Sequence, residues 1–145
     1  MSSRAHSNTR TAGPGRVILA LYVVFVIGTV SRSAAQILTD FDRAPLAYTL
    51  SAIAAAIYVV ATVALALPGP RAWLVCVVAI SIELIGVLTV GTWSFVRPAQ
   101  FPEASVWSHY GQGYLFIPLV LPIIGLWWLA KTRSPQPQAG VSPRS

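Results

Sequence analysis

Charge is scarce in this chain. Only 10% of its 145 residues are charged and four are acidic, against about 25% charged residues in soluble domains. With 55% hydrophobic residues and a mean hydropathy of +0.67, a water-soluble fold of this size has nowhere to hide its apolar surface, whereas a bilayer accepts it. Cysteine is nearly absent too. Cys76 stands alone in an apolar run, which excludes an intrachain disulfide and a CxxC redox or metal motif; it reads as a small buried apolar residue. Histidine is limited to His6 and His109, so zinc would lack ligands. Gly111 and Gly113 flank Gln112 without the strand or Walker pattern of a phosphate loop. No metal and no cofactor is expected.

What is present is length in apolar segments. Four are legible, at about residues 17–38, 44–67, 72–96 and 111–130. A helix needs about 20 residues to cross the hydrocarbon. The last three segments reach that easily, the first only if SRSAAQ (31–36) belongs to it. The expected fold is therefore all-α: a polytopic membrane protein, a four-helix transmembrane bundle over residues 17–131. Residues 1–16 and 132–145 are polar and read as disordered tails. An arginine-rich start, an apolar stretch and Ser33-Ala34-Ala35 also resemble a signal peptide with its cleavage site. Arg32 beside that site and the long tail disfavour cleavage, and a retained helix is expected.

Net charge is +6. In a soluble protein this would suggest nucleic acid, but here the bases flank apolar segments, and no nucleic-acid partner is expected. With the N-terminus inside, Arg4, Arg10, Arg16, Arg71, Lys131, Arg133 and Arg144 are cytoplasmic, while Arg32, Arg43 and Arg97 are outside. The positive-inside rule thus places both termini in the cytoplasm, of a bacterial plasma membrane given the GC-rich residue usage. Trp73 and Trp127-Trp128 fall near the inner ends of segments three and four; Trp93, Phe95, Trp107, Tyr110 and Tyr114 fall near the outer interface, as amphipathic rings prefer.

One acid interrupts the third segment. In VAISIELIGVL (78–88) Glu83 is roughly 17 Å deep, near the midplane of a core about 30 Å thick. An ionised carboxylate facing lipid there costs at least ~2.5 kcal/mol, so Glu83 is expected to be neutral, paired or in a watery cavity. Arg32, about 6 Å away in depth, is the expected partner, in an intramembrane ion pair or proton site. Ala79, Glu83 and Gly86 share one helical face, and Ala47, Ser51 and Ala55 form a small-residue stripe on the second segment, as packed helices use.

Outside, Asp40 and Asp42 precede Pro45 and read as a helix cap, with cation contact as the alternative. The loop 97–110 is long; Phe101, Trp107 and Tyr110 can lay it on the membrane surface, and Glu103 and His109 are its titratable groups. Asp40, Asp42, Glu103 and His109 form a weaker candidate site. Pro118, Pro122 and Gly125 bend the fourth segment.

The basic start, SRSAAQILTDFDRAPLAYTLSA, IELIGVLTVGT and VWSHYGQGYLFIPLVLPIIGLWWL together resemble small four-helix integral membrane proteins of actinobacteria, over about residues 17–130. That family has no established activity, so the resemblance implies location and topology only. Small multidrug transporters carry their acid in helix one, and vitamin K epoxide reductase-like enzymes need paired cysteines; neither fits. The leading expectation is a non-enzymatic accessory or scaffold component that binds other membrane proteins or its own copies within the bilayer. The alternative is a small ion- or proton-coupled transporter using Glu83, and a membrane enzyme comes third.

Overall fold

The computed structural model describes residues 13–132. The tails expected at 1–16 and 132–145 lie almost wholly outside them. Among the described residues there are helices and links but no strand.

Helix α1 (Pro14–Asp40) begins at Pro14 rather than near residue 17, because proline is well suited to a first helical turn, where its missing N–H costs nothing. It continues unbroken through Ser33-Ala34-Ala35. A 3₁₀ turn, Phe41–Arg43, leads into α2 (Pro45–Ala66). The link 67–69 then joins α2 to α3 (Pro70–Val96). Both α2 and α3 also start on proline. These three helices are long and apolar enough to cross a membrane; at 1.5 Å per residue they measure about 33–40 Å.

The fourth segment is where the sequence reading needs correcting. It is not one helix over 111–130. A 3₁₀ stretch, Ser108–Tyr114, is followed by α4 (Ile117–Lys131), and the two are bent by 98°. At about 22 Å, α4 alone is shorter than the hydrocarbon core, so a fourth crossing exists only if the bent pair is counted as one span. The bend comes from left-handed backbone at His109, Tyr110 and Gly111, and again at Leu115 and Phe116. The φ of +81° at Gly111 suits glycine, and a Cβ there would meet the ring of Pro118. Pro118 sits in the first turn of α4, where proline is tolerated.

The short 67–69 link makes α2 and α3 an antiparallel hairpin with extensive packing, and α2 packs as closely against α1. The indole N–H of Trp73, in the first turn of α3, donates to the carbonyl of Leu129 near the end of α4 at 3.2 Å, so α4 runs antiparallel to α3. Most core residues come from three faces: Ile18, Tyr22 and Phe25 on α1, Ala47, Ala54, Tyr58 and Ala61 on α2, and Cys76, Ala79, Ile80 and Val87 on α3.

Candidate functional site

Glu83 lies halfway along α3 and is fully enclosed, with 0% exposure. Its neighbour is not Arg32. The hydroxyl of Tyr22 on α1, also at 0% exposure, donates to Glu83 Oε2 at 3.0 Å. The second carboxyl oxygen, Oε1, is buried without a hydrogen-bond partner. The expected Arg32–Glu83 pair is not formed: the ion pairs among the described residues are made by Arg43.

The reason lies in α1. Its buried stripe runs through Ile18, Tyr22, Phe25, Thr29 and Ser33, and Arg32 falls to one side of it, exposed. Phe25 and Arg32, two turns apart, share an edge of the helix. Both meet Tyr114 from the bent segment: Phe25 edge-on, with centroids 5.6 Å apart, and Arg32 with its guanidinium 5.4 Å from the ring centroid. A cation over an aromatic face is worth about 0.5–1 kcal/mol at an exposed site. Arg32 also lies ten residues beyond Tyr22, about 15 Å further along α1, so Glu83 is level with Tyr22 and out of register with Arg32.

Against α3 from Gly86 to Trp93 the chain packs aromatic groups that the sequence suggests for the membrane surface. Residues 105–111 turn inward between the helices. Trp107 is 4% exposed and Phe101 8%. The Trp107 indole N–H donates to the Tyr58 hydroxyl at 3.1 Å, and its ring lies over Gly86, where an added Cβ would come within 2.7 Å. Tyr110 covers Gly91 in the same way, its backbone nitrogen 2.9 Å from the place of a Cβ. The segment is bonded into both helices: the Val106 N–H donates to Ser51 Oγ of α2 at 3.0 Å, and the His109 N–H to Ser94 Oγ of α3 at 2.8 Å. Every such bond satisfies a backbone group that hydrocarbon could not. On the opposite side Gly125 of α4 leaves room for Ile80 and for the Tyr22 hydroxyl, 3.4 Å from where its Cβ would be.

The outer-loop residues divide. Arg43 joins the α1–α2 link to the link that follows α3, 2.8 Å from Glu103 and 3.6 Å from Asp40. Asp40 closes α1 and makes no cap on α2, whose N-cap is Ala44 without a side-chain bond; Pro45 supplies the helix start instead. Asp42 is exposed in the 3₁₀ turn. His109 is half-buried and lies edge-on to Phe95, with centroids 4.6 Å apart. Among the described residues no three His, Cys, Asp or Glu side chains converge on a metal-sized space. Glu103 and His109 therefore belong to different contacts.

Sequence reasoning passed over Tyr22 and Tyr58. A signal existed: tyrosine favours the membrane interface, and both stand inside apolar helices, in LALYVVFV and AAIYVVAT. A phenol so placed needs a polar partner. No family model, curated protein or solved structure matches the chain.

Proposed function

We propose that this protein is a non-enzymatic accessory component of a bacterial plasma-membrane complex, a four-span helical bundle with both termini in the cytoplasm, in which Glu83 is a structural lock. The observation that carries this reading is the closure around Glu83: the carboxyl is held by Tyr22 and enclosed, Gly86 one turn along α3 is covered by Trp107, and Gly125 beside the Tyr22 hydroxyl is covered by Ile80. A buried hydrogen-bonded pair between two apolar helices sets their rotation and register, because every other pairing leaves a polar group in hydrocarbon. Such a bundle offers its partners a fixed outer surface.

The test is purification of the full chain from its native membrane in mild detergent, with identification of what accompanies it. One stoichiometric membrane-protein partner supports the accessory role; a solitary protein overturns it.

A second reading is a small ion- or proton-coupled transporter. It is favoured by three buried oxygens without partners: Glu83 Oε1, Ser33 Oγ and Gln36 Oε1. Ser33 and Gln36 lie on the face of α1 that carries Tyr22 and Thr29, toward the outer end. Buried polar groups of this kind are satisfied by water. Proton flux into liposomes containing the protein, abolished by Glu83→Gln with the fold intact, would establish this reading over the first.

A further inference from the structure

The inner half of the α2–α3 hairpin carries a feature unrelated to Glu83. Two adjoining cavities of about 470 and 550 Å³ lie on its outer face and share Val60 and Val75, so they form one furrow. These volumes are in the range of ligand sites. The furrow exists because the facing side chains are short: Ala56, Val60 and Ala64 on α2 oppose Ala72, Val75 and Ala79 on α3. Its lining is aliphatic with one charged exception, Arg71, at the end beside the 67–69 link. Arg71 is exposed.

Length distinguishes the occupants. From Arg71 to Ile82 the rise along α3 is about 16 Å, half of a hydrocarbon core about 30 Å thick. A helix of a second copy would use the full height of the core, whereas a lipid tail uses one leaflet. The cation stands where a headgroup phosphate would be. We propose that the furrow binds one acyl chain of an anionic phospholipid from the leaflet on the Arg71 side, with Arg71 facing the phosphate. A basic side chain at the membrane surface favours an anionic over a zwitterionic lipid by about fivefold.

The experiment uses the full chain in mild detergent. It is equilibrated with phosphatidylglycerol and phosphatidylcholine of equal chain length, and bound lipid is counted by native mass spectrometry. The wild type should retain phosphatidylglycerol preferentially. Arg71→Gln should lower that preference about fivefold, Arg71→Lys should keep it, and Val75→Phe, which fills the furrow, should reduce the binding of both lipids. The proposal is overturned if Arg71→Gln leaves the preference unchanged, if Val75→Phe folds and retains as much lipid as the wild type, or if the wild type is a dimer that Val75→Phe dissociates without loss of lipid. Because Arg71 is exposed, its substitutions leave the fold intact and decide the question even if Val75→Phe does not fold.

Discussion

The two halves of α3 solve the same problem in different ways. Both are apolar and lined by small residues. In the C-terminal half the chain fills the space itself: Trp107 covers Gly86, Tyr110 covers Gly91 and Ser94 accepts the His109 N–H. In the N-terminal half, toward α2, a furrow between Ala and Val side chains stays open. The difference follows from the links at each end. The 67–69 link is only long enough to reverse direction, while residues 97–116 are long enough to fold back and insert. Aromatic packing is therefore intramolecular at one end of the bundle, and at the other the apolar furrow is not filled by the described residues.

The largest expected effect tests the filled half. Trp107→Ala removes a buried indole from between α2 and α3 along with its bond to Tyr58, and such truncations cost about 3–5 kcal/mol. Thermal unfolding in mild detergent should show a large fall in Tm. Gly86→Leu, which puts a side chain into the space of the indole, should be comparably harmful alone. Combined with Trp107→Ala it should be milder than the sum, since the leucine then occupies the vacated space. Additive losses would mean that the two positions do not share that space. Val75→Phe in the open half should cost less than about 1 kcal/mol, because it grows into the furrow and not into packed side chains; a loss equal to that of Gly86→Leu would erase the distinction between the halves.

A smaller effect is expected at the centre, where the halves meet. Tyr22→Phe removes the one donor to Glu83, and interhelical hydrogen bonds in membranes are worth about 0.6 kcal/mol on average and about 1.7 at most. In a double-mutant cycle Tyr22→Phe and Glu83→Leu, which removes the acceptor, should be coupled by about that amount, while Arg32→Gln and Glu83→Leu should be additive. Coupling between Arg32 and Glu83 instead would restore the ion pair that the sequence suggested.

Much of the fold was legible from length and apolarity alone. The hairpin 44–96 was placed within a few residues, because chemistry this uniform admits one arrangement: two long helices joined by Pro68-Gly69-Pro70. The importance of Glu83 was legible as well, since an acid at mid-depth must be accommodated somehow. Its partner was not. Charge complementarity points to Arg32, whereas the partner is Tyr22, a neutral donor nearly three turns before it on the same helix. Nor was the inward turn of residues 105–111. A Trp and a Tyr beside prolines and serines read as an interfacial loop, because interface and interior both suit amphipathic rings. What separates them here is tertiary: Gly86 and Gly91 provide flat surfaces on α3, and Ser51 and Ser94 provide acceptors for the inserted backbone. Ser51 is distant from the loop in sequence, and Gly86, Gly91 and Ser94 precede it on α3, but no local pattern links any of them to it.

The smallest expected effect concerns how the inserted segment is tethered to the α1–α2 link. Arg43 holds Glu103 at 2.8 Å, with 62% and 36% of the two side chains exposed. An exposed pair of this kind contributes about 0.2–1 kcal/mol and is screened by salt. Arg43→Gln should therefore lower Tm slightly at low ionic strength, and the difference from wild type should vanish as salt is raised. If the inserted segment is held mainly by Trp107, Tyr110 and the serine acceptors, hydrogen exchange at the Val106 and His109 amides should stay slow in Arg43→Gln. Fast exchange there would make the surface ion pair the anchor and the aromatic packing secondary.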